Sequence, residues 1–78
     1  MSKKRWYAER DLAAIAKRFR KQAGKRRAQA ARDMGVSQTS IFHAEENPNQ
    51  SLRKLRVRMI EAYSPYTVVS RILLLKRK

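Results

Sequence analysis

Glycine occurs only at positions 24 and 35, and each time it closes a stretch of helical character. That punctuation cuts the first half of the chain into short helices. From Glu9 to Ala23 the apolar positions are Leu12, Ile15, Ala16, Phe19 and Ala23. Their spacing is one face of an amphipathic helix, with Lys17, Arg18, Arg20 and Lys21 off the centre of the stripe. Gly24 then stands where a left-handed C-terminal cap belongs. Residues 25–34 are rich in Ala and Arg, good helix formers, and Gly35 stops them. Ser37 is a suitable N-cap for a third helix that turns Ile41 and Ala44 inward. Asn47-Pro48-Asn49 ends it, with Asn47 suited to a left-handed cap. Ser51 can cap a fourth helix whose apolar face is Leu52, Leu55, Met59 and either Ala62 or Tyr63, broken by Ser64-Pro65.

The tail, Tyr66 to Leu75, is β-branched and apolar, and its alternation predicts a strand. Ser64-Pro65 could instead start a fifth helix ending in Lys76-Arg77-Lys78. A lone strand leaves its backbone donors and acceptors unpaired along both edges. Arg5-Trp6-Tyr7 is the one short in-chain candidate to pair with it, so a second copy is the expected partner. Pairing about a two-fold axis would bury Val68, Val69, Ile72 and Leu74.

With 78 residues there is room for one domain, which buries only about 60–65% of its unfolded surface. Cysteine is absent and histidine occurs once, which excludes a disulfide framework, a thiolate nucleophile and a Cys/His zinc site. The longest apolar run, Ile72 to Leu75, is far below the roughly 20 residues of a membrane span. The basic N-terminus has no apolar stretch behind it, so no secretory signal is expected. No nucleophile/base set or phosphate loop is visible either. The expectation is therefore a non-enzyme with no cofactor and no metal.

Charge narrows the partner. The net charge is +14, and self-repulsion of that size opposes folding unless a polyanion is at hand. Residues 1–32 carry twelve Lys/Arg against Glu9 and Asp11, and residues 53–78 carry eight against Glu61. Residues 33–52 carry none, only Asp33, Glu45 and Glu46. Two basic flanks around a cation-free middle suggest phosphate-gripping elements on either side of a segment with a different task.

Ala31, Gly35 and Ile41 bring these strands of inference together. Two helices joined steeply through a tight turn need a small residue at the close approach, a turn residue tolerant of positive φ, and an apolar anchor on the second helix. The stretch AARDMGVSQTSIFHAEEN, sharpest in GVSQTSI followed by Glu45, resembles the phage repressor/Cro-type helix-turn-helix family, also called XRE-like, over about residues 9–63. The resemblance implies a mainly α, lambda-repressor-like array of four helices, here followed by the C-terminal β-strand. Residues 1–8 are then a basic arm, 9–63 the DNA-binding domain and 64–78 a dimerisation strand.

The resemblance also implies that the third helix enters the major groove. Gln38, Thr39, Phe42 and His43 share its outward face and become the base-contacting candidates. Gln38 can pair with adenine, Phe42 can meet a thymine methyl, and His43 can donate to guanine. Ser40, Arg26, Arg27, Arg53 and Lys54 become the phosphate contacts. Arg26 and Arg27 occupy the positions where the family usually has a Ser/Thr-Gln pair, Ala44 replaces a bulky aliphatic residue, and Asn47 stands for a common Gly. Glu45 is expected to pair with an arginine inside the fold. The implied function is a transcriptional regulator, Cro-like or auto-repressing, that binds a pseudo-palindromic operator on double-stranded DNA as a homodimer. It would act in the cytoplasm, at the nucleoid, of a prokaryote or in the service of a phage. The alternative is an antitoxin whose C-terminal segment neutralises a toxin protein while the same helices regulate the operon.

Overall fold

The computed structural model describes residues 5–6, 10–68 and 74–78. The protein is mainly α. Four helices, α1 (Asp11–Gln22), α2 (Arg27–Met34), α3 (Gln38–Glu46) and α4 (Arg53–Tyr63), form an array around one apolar core. Among the described residues three short strands, β1 (Arg5–Trp6), β2 (Tyr66–Val68) and β3 (Leu74–Arg77), complete it.

Each helix boundary has a local cause. The α1 stripe is buried at Leu12, Ile15, Ala16 and Phe19, and Gly24 follows at φ +72°. At the start of α2 the backbone N–H of Arg26 donates to Gln29 Oε1 at 2.8 Å. Its far end is Gly35 at φ +70°, a left-handed position that a side chain would strain even though a Cβ would meet nothing within 4 Å. Ser37 caps α3 by accepting from the Ser40 backbone N–H at 3.1 Å. Ile41 and Ala44 turn inward with no exposed surface.

Three local expectations are corrected. Asn47 does not adopt a left-handed conformation but sits at φ −121°, ψ 78°. Its carbonyl accepts from Arg56 Nη2 at 2.7 Å, so the helix end is satisfied by a side chain instead of by a Schellman turn. The residue at the start of α4 is Leu52, not Ser51, because Leu52 turns its side chain onto the core and its carbonyl accepts the first helical bond, from Arg56 N–H. The buried face of α4 is Leu55, Arg56, Met59 and Ile60, with Tyr63 half-buried and Ala62 exposed.

The tail is also revised. The single strand expected over 66–75 is two strands, and the fifth-helix alternative does not occur in them. Tyr66–Val68 and Leu74–Arg77 pair antiparallel, with Thr67 opposite Lys76 and Val68 opposite Leu75. Arg5–Trp6 pairs with the other edge of β3, Arg5 opposite Leu75, so β3 is central in the order β1-β3-β2. The backbone partner expected from a second copy is thus supplied within the chain. Leu75 is buried in the core, Tyr66 meets the Phe19 ring at 5.8 Å between centroids, and Val68 packs against the same core. Glu61 of α4 accepts from the Thr67 hydroxyl and from the Val68 N–H at 3.4 Å, which ties β2 to that helix. Val69 and Ile72 lie outside the described residues, as does the side chain of Leu74.

Candidate nucleic-acid interface

The candidate site is built on α3, and what holds α3 in place is ionic. Glu45, 4% exposed, receives the buried Arg20 of α1 through Nε and through Nη2, the latter at 3.0 Å. Arg20 Nη1 also donates to the Lys25 carbonyl at 2.8 Å, which ties the loop after α1 to the same pair. A buried ion pair is tolerable only when its remaining donors and acceptors are satisfied, and these are. Glu45 therefore joins an arginine inside the fold, as expected of it.

Arg56 fixes the other end of α3. It is 2% exposed, and its guanidinium donates to the carbonyls of Ala44, Gln50 and Asn47 at 2.8, 2.8 and 2.7 Å. A cation at a helix C-terminus is favourable to the macrodipole and satisfies carbonyls that lack helical partners. Its aliphatic stem is buried with the rest of the side chain. From α4, Arg58 Nη2 donates to the Met34 carbonyl at 2.8 Å, and the Tyr63 hydroxyl donates to Asp33 Oδ2 at 2.7 Å. Burial, followed by the Asp33 carboxylate, raises the Tyr63 pKa well above the ordinary phenol value. The end of α2 is thereby pinned to α4, and the turn between α2 and α3 has rigid supports on both sides.

This framework leaves one face of α3 outward. Gln38, Thr39 and Phe42 are exposed, and Ser40 and His43 are half-buried. Asn47 Nδ2 and His43 Nδ1 lie 2.5 Å apart, a hydrogen bond between the ring and the end of α3. Ser40 Oγ lies 3.0 Å from Ser37 Oγ at the start of the helix. Ser40, Arg53 and Lys54 line one groove between the helical turn and the first turn of α4. The structure thus brings together three of the five expected phosphate contacts.

The other two are placed differently. Arg26 is exposed at the N-cap of α2. Arg27 reaches into the chain, Nε to Glu45 Oε1 at 3.0 Å and Nη2 to Glu46 Oε2 at 2.7 Å, with its guanidinium carbon 5.1 Å from the Phe42 ring centroid. Lys17 Nζ meets the same Glu46 oxygen at 2.6 Å. The hydrogen bond from Lys17, and then the charges of Lys17 and Arg27, hold the Glu46 carboxyl below its ordinary value.

Sequence reasoning missed Arg20, Arg56 and Arg58 as structural cations. Their partners are distant carboxylates and carbonyls, and nothing local distinguishes them from solvated basic residues. Among the described residues no cluster of His, Asp or Glu could hold a metal ion, and no helix is long and apolar enough to cross a membrane. No protein-family model matches the chain, and no curated protein or solved structure is significantly similar to it.

Proposed function

We propose that this protein is a sequence-specific double-stranded DNA-binding transcriptional regulator that reads the major groove with α3. The observation that carries the reading is the outward face of α3. Gln38, Thr39 and Phe42 stand exposed on a helix with no Lys or Arg, beside a groove lined by Ser40, Arg53 and Lys54. Hydrogen-bonding and apolar side chains are what base edges require, and cations at the margin are what phosphates require. Gln38 pairs with adenine, Thr39 lies at a neighbouring base edge, and His43 donates to guanine. Arg26, Ser40, Arg53 and Lys54 grip the backbone. Repression by covering a promoter completes the proposal; a dimer on a pseudo-palindrome with half-sites about 34 Å apart would pair through a surface other than β3, whose two edges are taken within the chain.

Selection of bound duplexes from a random double-stranded library tests it. A consensus is expected, in two symmetric halves. An output without sequence preference would show binding by charge alone and overturn the proposal.

A further inference from the structure

Phe42 is the one large apolar side chain that stands exposed among the described residues, at 44%. Its ring is nevertheless held. Arg27 lies 5.1 Å from the ring centroid, and His43 meets the ring edge-on at 5.6 Å and 72°. Arg27 is itself anchored twice, on Glu45 and on Glu46. Glu45 is fixed from the core by Arg20, and Glu46 from α1 by Lys17. An unbroken series of contacts therefore runs from the buried interior to the exposed aromatic.

We propose that Arg27 is a positioning residue for base reading, holding the Phe42 ring as a preset apolar surface for the C5-methyl group of a major-groove pyrimidine. This rests on the reading of α3 as the DNA-reading helix. Base edges in the major groove present donors, acceptors and a single kind of apolar group, the C5-methyl. An aromatic ring gains from that group alone. Preorganisation matters because ordering a free side chain on binding opposes affinity. Arginine suits the position because its planar fork can donate to two carboxylates while stacking on a ring. Lysine keeps the charge and a point-charge attraction to the ring, but loses the planar fork and the planar stacking that fix the ring's orientation. Thymine and 5-methylcytosine carry the same methyl group, so either can supply it.

The probe is the duplex recovered from the random-library selection. Each thymine is replaced singly by deoxyuridine, and each cytosine singly by 5-methylcytosine. In the wild-type chain, removing the methyl at one thymine per half-site is expected to weaken binding about three- to fivefold, the factor expected for burying one methyl group. A comparable gain at a methylated cytosine, with every thymine indifferent, assigns the methyl to that base instead and supports the same chemistry. Phe42→Ala is expected to bind methylated and unmethylated duplexes equally. Arg27→Lys is expected to show a methyl ratio that falls towards one, read as a ratio within that variant and so independent of any change in its overall affinity. Should Arg27→Lys fail to fold, Glu46→Gln removes the exposed anchor of Arg27 and is expected to narrow the ratio likewise. A consensus indifferent to every methyl, or an Arg27→Lys chain with the full ratio, overturns this inference and leaves the proposed function standing. A library that returns no consensus overturns both.

Discussion

At the scale of single residues, polar side chains that look alike in composition divide into two uses. Gln38 sits in the first turn of α3 with its side chain exposed, and adenine's N6 and N7 match its amide in one plane. Gln38→Ala is expected to weaken binding to the selected site by about 1–3 kcal/mol and to relax the preference at one base position, read by a titration series over single-base variants. Loss spread equally over all sequences would make Gln38 a backbone contact. Glu46, exposed on the same helix, is engaged within the chain, with Lys17 of α1 and Arg27 of α2. Because Lys17 and Arg27 lower its pKa, what this carboxylate adds to stability is fully present above its ordinary value of 4.5. That contribution fades only as pH falls through the lowered value. Carboxyl-carbon NMR should therefore place the Glu46 midpoint below 4.5, and Lys17→Ala should move it upward.

At the scale of elements, the ends of α3 show how a helix of nine residues is held in one orientation. A helix this short is marginal alone, so its ends and its buried face decide whether it forms. Ser37 satisfies the start and Arg56 the finish, while Arg20 secures Glu45 on the inner face. Arg56→Ala would strip three carbonyls of their donor and open space in the core. The expected loss is about 3 kcal/mol or more in denaturant unfolding, at about 1–3 kcal/mol for each buried carbonyl left unpaired. A single core in a domain of this size rarely supplies more than about 3–5 kcal/mol, so the variant should be close to unfolded at ordinary temperature. Replacement of Lys54, exposed at the groove of α4, should by contrast leave the fold largely intact. α2 contributes through its termini. Gly35 permits the sharp exit into the turn, and Arg58 and Tyr63 hold that exit against α4.

At the scale of the whole molecule, cations are partitioned between internal bonding and the surface. Arg20, Arg56, Arg58 and Arg27 are engaged with carboxylates and carbonyls of the chain. Arg26 and Lys54 are exposed, and Lys54 shares its groove with Ser40 and Arg53. Phosphate binding releases counterions, so each lost phosphate contact lowers the salt dependence of affinity by about one unit of log–log slope. Lys54→Ala is expected to show that reduction equally on the selected site and on random DNA. An unchanged slope would place Lys54 away from the backbone. Much of this organisation was legible in the sequence because it is local. The stripe of α1, the glycine ends of α1 and α2, the Ser37 cap and the inward pair Ile41 and Ala44 all follow from spacing and backbone preference within a few residues. The outward face of α3 follows from the inward one. What only the tertiary structure decided lies in pairings between residues far apart in the chain. Arg20 finds Glu45, Arg27 finds Glu45 and Glu46 and holds Phe42, and Arg56 leaves the solvent to close α3. The tail met the same limit. Alternation in Tyr66 to Leu75 marks extended chain, but a strand's partner is chosen by tertiary packing, and here β3 takes β2 on one edge and β1 on the other. Local sequence determines which face of an element is apolar; long-range geometry determines which charge or strand edge that element meets, because those energies exist only once the chain has closed on itself.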